Sequence, residues 1–155
     1  MKLSELARVM EELIPFNRFL GIRCEEVREG YARLRIPFRA ELVGDPMRPA
    51  LHGGVLSTLA DTAGGAAVWT GLRDARGRVS TIDLRIDYLR PARLADLVCE
   101  ATVVRQGNRV GVADMRLYHP PAAPPAGEPE QAPDTIATGK GVYNVTLSRD
   151  QPRAR

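Results

Sequence analysis

The chain has 155 residues, 44% hydrophobic and 26% charged, which is an ordinary globular composition and long enough to bury a core without staples. A formal net charge of +3, from 22 basic and 19 acidic residues, is too even to argue for nucleic acid. Two cysteines, Cys24 and Cys99, exclude a disulfide scaffold, and with two histidines far away in sequence they leave no metal-ligand spacing, so no metal is expected.

Leu3, Leu6, Met10 and Leu13, with Val9 and Ile14 alongside, predict a helix over 3–14 that Pro15 stops or kinks. Acidic residues interrupt its apolar pattern, so it does not read as a signal peptide, and a cytoplasmic location is expected. Two strands follow over 20–28 and 31–38, around Glu29-Gly30, with Leu34, Ile36 and Phe38 alternating against Arg33, Arg35 and Pro37. Residues 39–51 read as a loop with Gly44, Pro46 and Pro49.

From His52 to Leu72 the chain carries one charge, Asp61, among Gly, Ala, Ser and Thr, with no period-two alternation. That predicts a helix buried nearly all round. A membrane span is opposed by Asp61 at its centre, which costs about 2.5–3.5 kcal/mol on insertion scales. After a polar turn at 73–78, Ile82, Leu84, Ile86 and Tyr88 alternate against Thr81, Asp83, Arg85 and Asp87 as a strand ended by Pro91. Residues 97–104 and 109–118 read as a hairpin around Gln106-Gly107-Asn108. Its apolar parity shifts from Val110 and Val112 to Met115 and Leu117, which suggests a bulge near Ala113 or Asp114. A Pro/Ala-rich stretch over 119–135 reads as an extended, mobile loop, and 136–147 as a last strand.

The expected organisation is a single domain over 1–148, with 119–135 as an insertion and a loose tail over 149–155. Consecutive strands with short turns imply an antiparallel sheet and an α+β class. One sheet wrapping one apolar helix leaves an edge and the helix ends wanting a partner, so a dimer is expected.

Asp61 is the residue to explain. A carboxylate in a core is costly unless it is paired or hydrogen-bonded. Either hydroxyls such as Ser57, Thr58 or Thr62 satisfy it, or it works as a general base or nucleophile. His52-Gly53-Gly54 immediately precedes the helix. Two glycines admit a ligand close to the backbone, and the first amides of a helix can hold a developing oxyanion. The glycines also suit a tight turn, and His52 a satisfied structural role. Thr138-Gly139-Lys140-Gly141 is not a phosphate loop, because Asp134 stands where the first glycine is needed. Ser57 lacks the flanking glycines of a nucleophile elbow.

The run Leu51-His52-Gly53-Gly54-Val55, with Asp61 nine residues after the histidine, resembles the hot-dog fold acyl-CoA thioesterases. It is most similar to the phenylacetate-pathway type within the 4-hydroxybenzoyl-CoA thioesterase superfamily. The run from Ser80 to Ala92, ending Tyr88-Leu89-Arg90-Pro91-Ala92, resembles that family's following strand, and Val104 to Arg109 its next hairpin turn. The resemblance covers residues 3–147. It implies a curved antiparallel sheet around the 53–71 helix, and dimers or tetramers with sites between subunits. It implies an acyl-CoA substrate whose carbonyl is held by the Gly53 amide, and Asp61 of the other subunit as general base or nucleophile. Thr81 would help place the water, and His52 stands beside these as a further catalytic candidate. Gly54, Arg90, Arg105 and Arg109 would meet coenzyme A. No cofactor is implied beyond the coenzyme A of the substrate, and neither nucleic acid nor membrane is a partner. Trp69 and the 16–22 region would line the acyl pocket. Many relatives carry Asn six residues before the histidine, where this chain has Pro46. That departure keeps open a non-catalytic acyl-CoA binding module. A hydratase on the same fold is disfavoured, because His119 has no suitable neighbour in sequence.

Overall fold

The computed structural model describes residues 3–72, 77–121 and 132–146. The expectations for the 73–76 turn, for most of the Pro/Ala-rich stretch and for the tail lie outside the described residues.

The N-terminal segment is helical from Leu3, but not as one helix. Helix α1 (Leu3–Arg8) widens into a π-helical turn over Val9–Leu13. The helical run breaks just before Pro15, as expected: Ile14 is extended, and Pro15 starts a second helix, α2 (Pro15–Leu20), from the first helical position, where its missing N–H costs nothing. The side-chain amide of buried Asn17 donates to the Met10 carbonyl at 3.0 Å and ties the two pieces together.

Strands β1 (Arg23–Arg28) and β2 (Tyr31–Ile36) form the expected hairpin, with Gly30 at φ +72° in the turn. The segment read as a loop contains a short ribbon, β3 (Val43–Asp45) against β4 (Ala50–Leu51). Helix α3 (Gly53–Thr70) comes next. It is followed by β5 (Arg78–Tyr88), β6 (Leu97–Gln106), β7 (Val110–Tyr118) and β8 (Thr135–Thr146). Six strands make one antiparallel sheet in the order β1-β2-β6-β7-β8-β5. Thr138 to Gly141, set aside as a phosphate loop, lies inside β8.

The sheet curls around α3, which packs on β2, β5, β6, β7 and β8. Small residues permit this close approach: Ala60, Ala63, Gly64 and Ala67 are buried beneath the strands, with Leu59 and Val68 among them. The sheet covers only one side, so the helix is not buried all round. Gly54, Ser57, Thr58, Asp61, Thr62, Gly65 and Trp69 form a partly exposed stripe at helical spacing.

Two irregularities differ from the sequence reading. In β7 the inward residues Gly111, Ala113, Met115 and Leu117 alternate without a break, and Val110 and Val112 point to the outer face. The extra residue is Val104, on the neighbouring strand β6. In β5 the register shifts between Thr81 and Asp83, so Ile82 is bulged and 58% exposed. The bulge turns Thr81 toward the helix, beside its cross-strand partner Tyr143. Strict alternation would have put Thr81 on the outer face.

Tyr143 is buried in a slot between helix and sheet. A methyl group on Gly64 would run into its hydroxyl and stand 2.9 Å from its Cζ. Gly64→Ala is therefore expected to destabilise the fold by about 1–3 kcal/mol through overpacking, against a helix-propensity gain of at most ~1 kcal/mol. Urea unfolding measures the balance; a neutral or stabilised variant would contradict the close approach.

Candidate active site

Helix α3 presents chemistry at two places. The first is its N-terminus. His52 caps the helix: its Nδ1 accepts from the Gly54 N–H at 2.9 Å, and its carbonyl accepts from the Val55 N–H at 2.9 Å. The first amide, that of Gly53, has no partner among the described residues, and it carries the positive end of the helix dipole. The Tyr88 hydroxyl donates to the Gly53 carbonyl at 3.0 Å, and its ring packs on the Gly53 Cα, where a Cβ would sit 3.4 Å away. The Ser57 hydroxyl donates to the same carbonyl at 3.1 Å. Gly53 lines a cavity of about 360 Å³, walled also by Leu56, Tyr88 and the segment from Leu89 to Ala92. Arg90 lies on its rim, 3.1 Å from Asp134.

The second place is mid-helix. Asp61 is half-buried, and its Oδ1 accepts from the Thr81 hydroxyl at 2.7 Å. The neighbouring hydroxyls on α3 do not serve it. Ser57 bonds the Gly53 and Gly54 carbonyls, and Thr62 the Thr58 carbonyl. Tyr143 donates its hydroxyl to the Asp61 carbonyl at 3.2 Å. Burial, and then the charge of Asp61, push the Tyr143 phenol well above its ordinary range, so it stays a donor. Asp61 and Thr81 line a second cavity of about 360 Å³, whose apolar walls are Met10, Ile14, Phe16, Trp69 and Val79. Trp69 and the start of the 16–22 region, expected to line an acyl pocket, thus line the cavity that holds Asp61.

The structure brings Gly53 and Arg90 to one cavity and Asp61 with Thr81 to the other; His52 and Gly54 flank Gly53 in the chain but line neither. Eight residues of helix separate Gly53 from Asp61, about 12 Å of rise. Arg105 and Arg109 reach neither cavity within the chain. Their hairpin tip lies against Gly71, past the far end of α3, with Gln106 against that glycine. Pro46 sits in an exposed turn and lines neither cavity; the turn is held by Asp45, whose Oδ1 accepts from the Met47 and Arg48 amides. Sequence reasoning missed the support given by Tyr88 and Tyr143. Gly139 and Gly141, on the same inward parity as Tyr143, were the available signal that the strand clears space for a large ring. Among the described residues no group of three His, Cys, Asp or Glu side chains could hold a metal ion.

This fold and these motifs have close counterparts. A family model described as the thioesterase superfamily matches residues 49–123. A protein of Halobacterium salinarum is 42% identical over 129 residues, 82% of each chain. The medium/long-chain acyl-CoA thioesterase YigI of Escherichia coli K12 is 35% identical over 119 residues, 68% of this chain and 76% of that one. The solved structure of the E. coli PaaI protein, from the phenylacetic acid degradation operon, superposes with a TM-score of 0.74 at 26% identity, covering 92% of this chain and 91% of that one. The chain belongs to the thioesterase superfamily: it has the hot-dog fold and is a thioester hydrolase.

Thr81→Val keeps the shape of the side chain but leaves Asp61 Oδ1 without its donor. It is expected to cost about 1 kcal/mol, below the ~1.5–3 kcal/mol of bonds to charged groups because the pair is largely exposed. Thr81→Ser should retain most of that. Urea unfolding of the two variants side by side makes the comparison.

Proposed function

We propose that the chain hydrolyses acyl-CoA thioesters to a free acid and coenzyme A, in a dimer whose sites join Gly53 of one copy to Asp61 of the other. The observation that carries this reading is the separation of the two groups. A free helix-terminal amide and a hydroxyl-bound carboxylate are the two parts that thioester hydrolysis needs. They stand about 12 Å apart along one helix, too far to act on one carbonyl. A second copy, with its α3 antiparallel to the first, would bring one copy's amide to the other's carboxylate. The partly exposed stripe on α3 and the unpaired edge strand β5 are the faces such a pairing would use. The same arrangement offers Arg105 and Arg109 of one copy a route toward the Arg90 end of the other.

The thioester carbonyl oxygen accepts from the Gly53 N–H, which lies where negative charge develops as the carbonyl carbon becomes tetrahedral. The Val55 N–H holds the peptide unit that carries this donor through the His52 carbonyl, and Tyr88 and Ser57 hold the next unit through the Gly53 carbonyl. Asp61 takes the proton of a water that attacks the carbonyl carbon, or attacks that carbon itself to form an anhydride that water then opens. In either route the C–S bond breaks, and coenzyme A leaves as a thiolate that is then protonated. Thr81 donates to Asp61 Oδ1 and keeps its own oxygen lone pairs for the water. His52 acts as the cap that fixes the amide. No metal or redox group takes part, and coenzyme A enters only with the substrate. The acyl group fits the apolar cavity beside Asp61. The similarity to YigI supports aliphatic acyl chains of medium to long length. Free Cys24 and Cys99 suit a reducing, cytoplasmic setting, and none of the described helices is long and apolar enough to cross a membrane.

The test is release of free thiol from short, medium, long and aryl acyl-CoAs, with wild type and Asp61→Asn in parallel. Turnover of the aliphatic members is expected, with kcat lowered about 10²–10⁴-fold in the variant, the range for a positioned acid/base group. Near-normal turnover in the variant would remove Asp61 from the mechanism. Tight binding without turnover would leave an acyl-CoA binding module and point to Pro46.

A further inference from the structure

His119, the residue after β7, is 6% exposed, and its ring makes two backbone bonds. Nδ1 donates to the Asp96 carbonyl at 2.8 Å, and Nε2 accepts from the Arg93 N–H at 2.8 Å. Only the neutral ring with its proton on Nδ1 satisfies both. Between the two bonds lies a tight turn, closed by the Ala95 N–H on the Arg93 carbonyl at 2.9 Å.

This turn continues directly into the wall of the cavity at Gly53, formed by Leu89, Arg90, Pro91 and Ala92. The wall is also held by β8 at its start and by β4 at its end. The Leu89 and Arg90 amides donate to the Ile136 carbonyl at 2.9 and 3.2 Å, and the Leu51 amide to the Ala92 carbonyl at 3.0 Å. Past Ala92, the loop is fastened through His119 and through the Asp96 carboxylate, which Arg35 and the Phe38 amide bind. The charged groups facing the ring are Arg93 and Asp96 on the loop, with Arg35 of β2 behind Asp96. Burial lowers the His119 pKa below its ordinary 6.5, and the bond to the Asp96 carbonyl offsets this only in part. The unfolded chain therefore takes up a proton first as pH falls, and the contribution of this ring to stability is lost from about pH 6.5 downward.

We propose that His119 is a positioning residue: its neutral ring staples the 89–96 loop to the end of β7 and so holds the wall that receives the coenzyme A arm of the substrate. A proton on Nε2 would set N–H against the Arg93 N–H and open the staple. The proposal rests on the acyl-CoA reading above for its ligand, but not for its geometry.

The experiment compares wild type with His119→Gln, at about pH 7.5 and 5.5, in octanoyl-CoA hydrolysis and in amide hydrogen exchange over 89–96. At the higher pH the variant is expected to raise KM about tenfold with kcat within about twofold, the pattern of lost uniform binding. Exchange should quicken over 89–96 and not in α3 at both pH values, because burial opposes protonation of the folded wild-type ring. A KM within about twofold of wild type with unaltered exchange would overturn the proposal, as would a fall in kcat alone. Should the variant fail to fold, His119→Asn takes its place in the same two measurements. Acceleration confined to the loop supports the staple and uniform behaviour removes it. Absence of wild-type turnover on every acyl-CoA would count against the acyl-CoA reading instead, and the exchange result would still judge the staple.

Discussion

The small side chains of α3 set the spacing on which the rest of the molecule depends. Ala60, Ala63, Gly64 and Ala67 let the strands lie close against the helix, and that closeness brings β8 near enough for Tyr143 to bond the Asp61 carbonyl and β5 near enough for Thr81 to bond its carboxylate. Larger residues on this face would lift the sheet away and part both bonds. The same economy of side chains explains why a helix with so few large apolar residues still anchors the core. Its partners supply the bulk, through Leu34, Ile36, Leu97 and Leu117.

Each end of the site is held by backbone bonds rather than by paired charges. The Gly53–Gly54 peptide unit is held from both sides, its carbonyl by Tyr88 and Ser57 and its N–H by the His52 ring. This leaves the preceding amide free in an otherwise satisfied first turn. A donor fixed in this way needs little rearrangement when charge appears in front of it, which is the property electrostatic catalysis requires. Arg90, by contrast, is exposed and paired to Asp134, a contact that water and salt weaken readily.

Most of the architecture was legible because its signals are local and periodic. The apolar, nearly chargeless run from His52, the hairpins at Gly30 and Gly107, and the alternation of β2 each name their element without help from the fold. The Gly53 and Asp61 candidates were legible for a related reason: glycines before a helix, and one carboxylate within it, conflict with plain packing. What the sequence concealed depends on contacts between distant segments. The bulge at Ile82 looks like unbroken alternation, because Ile82 is apolar although it faces outward, and only the pairing of Thr81 with Tyr143 shows the change of face. In β7, outward Val110 and Val112 suggested an irregularity that belongs to the opposite strand. Pro15 marked the break in the N-terminal helix, but the tie across it, Asn17 on Met10, lies in three dimensions and left no local sign. His119 showed nothing in sequence because its partners are backbone atoms more than twenty residues away.

The two edges of the sheet are unlike each other. Strand β5 is eleven residues long and kinked at Ile82, whereas β1 has six, is kinked between Cys24 and Glu26, and carries Arg23, Glu25, Glu26 and Arg28. Had the edges matched, β5 of one molecule could dock on β1 of the next and the contact would repeat without end, laying molecule upon molecule into a filament. The mismatch in length and in the place of the kink works against that union. Contact of β5 with a second β5 has no such mismatch, and a two-fold contact of that kind closes after two molecules.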